Sequence, residues 1–346
     1  MNEKQRRRSV EIDILRFLSA CMVATYHWTL EMNSESAQQI LDIPILGAVI
    51  SQGGIGVDIF FIISGYVIFN TAQRNSGIDF LAARFIRLFP GLLISMIMVL
   101  FVGSRFIHVY DEPIHSLINS VFLTYTITGT EPLATQLWTL IVEVKFYFGV
   151  VFLLIIFRKI FMTKIGILAI LAMWQISLSL LENFTSPFAR KLLLNLSLNG
   201  YAELFSLGAV LYLFRIRTFR FDLPTLGASI LFLNLGYQVV FDSSYSPGNI
   251  LLLSISVLTI VLGSKLTRFN SKFIEILGFS SYIIYLIHLH IGGAIINITR
   301  ESISNEVFVY FTITMVAVTT ISVITSLYLE KPLQKFLITQ YKHFSK

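Results

Sequence analysis

IDILRFLSACMVATYHWTL, residues 12–30, is an apolar run that carries an arginine and an imidazole inside it. As a helix it would cover about 28 Å, close to the roughly 30 Å of hydrocarbon in a bilayer. Arg16 and His27 stand eleven residues apart, about three helical turns, so both side chains leave one face, roughly 16 Å apart along the axis. Ionisable groups at membrane depth are costly to insert. They face a bundle interior or a wet cavity and mark a route for substrate, ions or protons. The run therefore reads as a membrane helix with a polar track on one side.

The rest of the chain repeats the pattern. Its 346 residues are 55% apolar and 13% charged, with a mean hydropathy of +0.75. That is more oily surface than a soluble fold of this size can hide. The expectation is an all-α, polytopic membrane helix bundle forming a single domain over residues 1–346. About ten transmembrane helices are expected, at 12–30, 46–70, 85–106, 137–157, 165–181, 199–214, 223–241, 249–264, 274–297 and 306–329. Segment 114–127, short and bounded by Pro113 and Gly129, reads as re-entrant or interfacial.

Charge tests this arrangement. Of the 26 Lys and Arg, twenty fall on one side of the spans and Arg105, Arg190, Lys191 and Arg300 on the other, with Arg16 and Lys145 inside them. Positive charge collects in the cytoplasm, so both termini are expected there. The net charge of +6 is then a topology signal with some attraction to anionic membrane lipid, not a nucleic-acid footprint. The basic start before an apolar run imitates a signal peptide but offers no small-residue cleavage site, and is kept as the first helix. Cys21, the single cysteine, excludes intramolecular disulfides and cysteine-based metal sites and reads as a packing residue. No phosphate-cradling or dinucleotide glycine pattern occurs.

Four further polar groupings stand out. Gly53, Gly56, Ser64 and Gly65 permit close helix approach, but packing does not explain Asp58, a carboxylate expected near the middle of an apolar helix. Arg84 and Arg87, at i,i+3 on the inner end of the third span, form a planar fork suited to phosphate as well as to membrane anchoring. In the fourth span Glu143 and Lys145 point to different sides, Glu143 toward a cavity and Lys145 toward the outer interface. Ser281, Tyr285 and His288 at i, i+4 and i+7 make one stripe, with His288 toward the outer leaflet like His27. His290 has no special role in this reading, and Glu330-Lys331-Pro332 is read as the structural end of the last span.

These blocks, in this order, resemble the membrane acyltransferase-3 family, which includes bacterial O-antigen and exopolysaccharide O-acetyltransferases. The resemblance rests on Arg16 with ten residues before His27, Gly56-Val57-Asp58 with Phe60-Phe61 and Ser64-Gly65, and Arg84-x-x-Arg87. Trp138 followed by Glu143 and Phe146-Tyr147, the Ser281-Tyr282 to His288 block and Glu330-Lys331-Pro332 complete it. Where many relatives carry a second acid and a Gln after Glu143, this chain has Val144 and Lys145.

The resemblance implies a multi-pass enzyme of the bacterial inner membrane. It would move an acetyl group from cytoplasmic acetyl-CoA to a hydroxyl of an envelope polysaccharide or its lipid-linked precursor. His27 would serve as general base or acylated nucleophile, with Asp58, Glu143 and Arg16 completing the catalytic set. Arg84, Arg87 and Arg16 would hold donor phosphates, and Trp138, Tyr285 and His288 the acceptor. No metal is expected. The rival reading is a secondary transporter or flippase using the same charges as a relay, for which inverted repeats and broken helices would be the sign.

Overall fold

The computed structural model describes residues 9–31, 34–72, 74–106, 110–156, 186, 198, 201–215, 245–266, 271–302 and 307–344. All regular structure among them is helical. The helices are α1 (Val10–Glu31), α2 (Ser34–Leu41), α3 (Pro44–Ser51), α4 (Gly56–Ala72), α5 (Gly77–Phe106), α6 (Pro113–Val121), α7 (Tyr125–Thr128) and α8 (Trp138–Ile156). They continue with α9 (Ala202–Arg215), α10 (Pro247–Leu266), α11 (Lys272–Ile287), α12 (Gly293–Ser302), α13 (Val307–Thr325) and α14 (Lys331–Phe344).

Among the described residues five stretches are long and apolar enough to cross a membrane: Gly53–Ala72, Gly77–Val102, Thr135–Ile156, Lys272–Arg300 and Val307–Phe344. Ala202–Phe214 and Pro247–Gly263 are apolar but shorter. α1 matches the expected first span in length yet is not among the five, for it carries Glu11, Asp13, Arg16 and His27. The expected spans 165–181 and 223–241 lie outside the described residues. Several helices present continuous oily stripes outward, such as Phe148, Phe152 and Ile155 on α8 and Leu251, Ile255, Leu258 and Leu262 on α10. Spacings of three and four place each set on one helical face, as a lipid-facing surface requires.

The chain divides into two compact units. One comprises Met1–Val57, Phe85–Leu140 and Gly263–Lys346; the other comprises Asp58–Arg84 and Ile141–Leu262. In the first, α1 and α11 run side by side in the same direction. Gly278 lies against Asp13 near the start of α1, where a Cβ would stand 2.6 Å from the Asp13 Cα, and Gly292 lies against Trp28 near its end. In the second unit α4 and α9 touch backbone to backbone. A Cβ on Gly65 would meet the Phe205 carbonyl oxygen at 2.1 Å, and one on Gly208 the Ile62 oxygen at 1.9 Å. Small residues are what allow apolar helices this approach. Phe205 then stacks on Phe146 of α8 with ring centroids 4.2 Å apart.

Three sequence expectations about helix ends are corrected. The second span is not one helix over 46–70: α3 stops at Ser51, a tight 3₁₀ turn spans Gly53–Ile55, and α4 starts at Gly56. At that break the backbone presses on α1, since a Cβ on Gly56 would lie 2.6 Å from the Ser19 oxygen. α5 begins at Gly77, so Arg84 and Arg87 sit two to three turns inside a helix, not at its inner end. Pro332 does not stop the last helix, because the wide turn Ser326–Glu330 precedes it and Lys331 N–H bonds the Ser326 oxygen five residues back. That added residue absorbs the missing donor and ring clash of a helix-interior proline. Segment 114–127 forms α6 and the single turn α7, separated by Leu123 at φ 56, too short to cross.

Candidate functional site

In the first unit the geometry converges on two imidazoles. His27 Nδ1 lies 2.9 Å from the Val23 oxygen one turn back. A carbonyl only accepts, so Nδ1 carries the hydrogen and the neutral ring offers its lone pair at Nε2. His288 is built the same way, with Nδ1 2.6 Å from the Tyr285 oxygen. The two ring centroids are 5.2 Å apart. His288 opens a wide turn, His288–Gly292, in the middle of an otherwise continuous helix. Such turns free a carbonyl from the helical ladder and recur at functional sites. Here Trp28, fully buried and next to His27 in sequence, donates its indole N–H to the His288 oxygen at 2.8 Å.

The start of α8 is bolted to the same place. Tyr285 and Thr139 hydroxyls are 2.8 Å apart, and Gln136 donates to the Leu286 oxygen at 2.8 Å. Tyr285 also donates to the Gln136 oxygen at 3.3 Å. Trp138, at the first residue of α8, is 40% exposed. Arg16 is half-buried on α1.

Arg87 belongs to a second cluster of this unit. Its Nη1 donates to Glu330 Oε1 at 2.8 Å, and Glu330 is completely buried. Gln334 donates both to that Glu330 oxygen, at 2.9 Å, and to the Arg87 carbonyl, at 3.1 Å, while the Ser326 hydroxyl reaches Oε2 at 3.1 Å. The guanidinium also lies 4.8 Å from the Phe279 ring centroid and 5.5 Å from that of Tyr282. The charge of Arg87 is thus already answered within the protein.

The second unit holds Asp58, Arg84 and Glu143. Glu143 Oε1 receives the Ser64 hydroxyl at 3.0 Å and the Tyr147 hydroxyl at 2.6 Å, which fixes the carboxylate between α4 and α8. Asp58 is in the first turn of α4, where the helix dipole favours a negative charge, and not near the middle of a helix as its place in the expected span 46–70 implied. Arg84 bonds the Thr71 hydroxyl and lies over the rings of Phe80 and Tyr147, 5.4 and 5.8 Å from their centroids. Its buried Nε–H has no partner, and no carboxylate pairs with it among the described residues. This leaves a cation with donor capacity to spare, the character that an anion-binding group needs.

The structure therefore brings His27 and His288 together, and sets Tyr285 and the first turn of α8 around them. It gives the two arginines of the expected fork separate partners. Glu330 escaped the sequence reading: the run Glu330-Lys331-Pro332 looks like a helix end, and its partner Arg87 is 243 residues away. Glu11 and Asp13, buried at the start of α1, escaped too, although two acids at the head of an apolar run were the available signal. No group of three or more His, Cys, Asp and Glu able to hold a metal occurs among the described residues.

Residues 9–327 match an acyltransferase domain family. An O-acetyl transferase from Shigella phage Sf6 is 33% identical over 120 residues, which is 32% of this chain and 34% of that protein. The chain thus aligns with about a third of that relative's length. No solved structure matches.

Proposed function

This chain belongs to the acyltransferase family that its residues 9–327 match, and from that membership we propose that it is a multi-pass membrane O-acyltransferase. The donor is acetyl-CoA from the cytoplasm, where both termini lie, and the acceptor is a hydroxyl of an envelope polysaccharide or its lipid-linked precursor at the outer side of a bacterial inner membrane. The likeness to the phage O-acetyl transferase supports the acetyl group and the oxygen acceptor. The observation that carries the chemistry is His27, whose Nδ1 is held by a backbone carbonyl so that Nε2 is presented as a base.

In the proposed reaction Nε2 takes the proton of the acceptor hydroxyl while its oxygen attacks the thioester carbonyl carbon. The carbon–sulfur bond breaks, its electron pair leaves on sulfur, and the imidazolium returns the proton to give the free thiol. Holding both reactants against one imidazole supplies much of the acceleration. Arg84, with its spare N–H, is the better phosphate ligand of the two arginines; Arg87, satisfied by Glu330, anchors α5. Arg16 neutralises donor phosphate in the inner part of the α1 track, and Asp58 and Glu143 are kept as the acidic members of the proposed catalytic set.

The test is radiolabelled acetyl-CoA with purified protein and envelope glycan extract. Covalent label in the glycan is expected. Label that crosses vesicles without joining the glycan would favour the transporter reading instead.

A further inference from the structure

The last helix, α14, carries nothing that the proposed reaction uses, and none of its residues is buried. Its first turn is fastened to the first unit. Gln334 donates to the Arg87 carbonyl at 3.1 Å, and the Lys331 ammonium stands 4.7 Å from the Phe279 ring centroid. α13 runs on into α14 through the wide turn, so Val307–Phe344 is one helical stretch of 38 residues. At 1.5 Å per residue that is about 57 Å, against about 30 Å of hydrocarbon and roughly 40–45 Å with both headgroup layers. α13 alone, 19 residues or about 28 Å, fills the hydrocarbon. α14 therefore begins at headgroup depth.

The helical period sorts its side chains onto two faces. Lys331, Lys335 and Lys342 fall within about 40° of one another, while Leu333, Phe336, Leu337 and Phe344 occupy about 100° of the opposite side, with Gln340 among them. Phe336 is 55% exposed and Phe344 85%. Residues 331–346 include no Asp or Glu, so the lysines meet no carboxylate on their own helix. An upright α14 would hold its apolar face in water. Lying along the membrane surface, it would sink that face among acyl chains while the lysine stems carry their ammonium groups up to lipid phosphates.

We propose that α14 is a docking surface for anionic lipid, whose headgroups draw it flat onto the leaflet at its own end of the bundle. The occupant follows from charge, because a stripe of three cations with no acid beside it on the helix complements a surface of net negative phosphodiesters. Tyr328 and Leu329, exposed just before α14, continue the oily outer surface of α13 toward it. On the topology of the acyltransferase reading this leaflet is the cytoplasmic one. The inference goes beyond that reading, for it involves no acetyl transfer. Each lysine near an anionic surface strengthens docking about fivefold, so Lys335 and Lys342 together should carry more than about tenfold.

The experiment uses the full chain with Cys21→Ala and a polarity-sensitive fluorophore attached through Gln340→Cys, in the middle of the apolar face, or through Ile338→Cys, beside the lysines. It is reconstituted into vesicles of phosphatidylcholine alone or with about one-third phosphatidylglycerol. Acrylamide quenching of the label at position 340 should fall about threefold or more when the anionic lipid is present, and should recover in about 0.5 M salt. The label at position 338 should change by less than about 1.5-fold, since its face stays toward water. Lys335→Gln with Lys342→Gln, both at exposed positions, should bring the response at 340 to within about 1.5-fold. Should that double variant fail to fold, the comparison of the two vesicles with the lysines intact decides alone. Equal quenching at 340 in neutral and anionic vesicles would overturn the proposal. So would a double variant that responds as fully as the chain with its lysines, or equal shielding of the labels at 338 and 340.

Discussion

Replacing Arg87 with alanine isolates the cost of a buried, unanswered charge. Glu330 is fully buried, and Arg87 is its cationic hydrogen-bond partner at 2.8 Å. Removing that guanidinium leaves the carboxylate with Gln334 and Ser326 as its remaining donors in this cluster. Breaking one side of such a pair costs about 3–5 kcal/mol, whereas removing both charges is far milder. At roughly 2–4 °C per kcal/mol, Arg87→Ala should lower the unfolding temperature in detergent by about 6 °C or more. Arg87→Met combined with Glu330→Gln should recover at least half of that loss, because the amide keeps an oxygen for Gln334 and can donate to Ser326. Thermal unfolding of the single variants and the pair, at one protein concentration and heating rate, measures this directly. A double variant no better than Arg87→Ala, or a single variant within about 2 °C of wild type, would refute the claim that the pair anchors α5.

Arg84 should behave oppositely. Arg84→Gln is expected to raise the KM for acetyl-CoA about tenfold or more, the worth of a charge-assisted hydrogen bond, with little change in unfolding temperature; an unchanged KM would remove it from the donor site. Glu143→Gln keeps the oxygen that receives Ser64 and Tyr147 but removes the charge, so kcat should fall about tenfold while stability stays within about 1 kcal/mol. Equal kcat would reduce Glu143 to a structural bolt. Gly208→Val, which drives a side chain into the Ile62 carbonyl, should abolish monodisperse protein on size exclusion, whereas Gly149→Ala, with nothing within 4 Å of its Cβ, should be neutral or mildly stabilising.

Helical period made much of the first unit legible in advance. Arg16 and His27 share a face by spacing alone, and Ser281, Tyr285 and His288 form a stripe whose last member meets His27. What failed were features set by distant packing. The break before α4 depends on Gly56 pressing on Ser19, which apolar content does not report. Helix continuation through Pro332 needs a wide turn whose register only the folded backbone reveals. Arg84 and Arg87 look alike in sequence, yet one meets Glu330 across 243 residues and the other Thr71 across 13. Glu143 is fastened to Ser64, 79 residues away, by a bond that no local pattern encodes.

The central claim is that His27 Nε2 takes the acceptor proton. Single-turnover acetyl transfer to envelope glycan by His27→Gln, with the amount of folded protein matched and donor binding measured in parallel, tests it most directly. The account predicts a loss of about 100-fold or more in the transfer rate, the usual contribution of a positioned base, with the donor Kd unchanged. Transfer at the wild-type rate in that variant would contradict it.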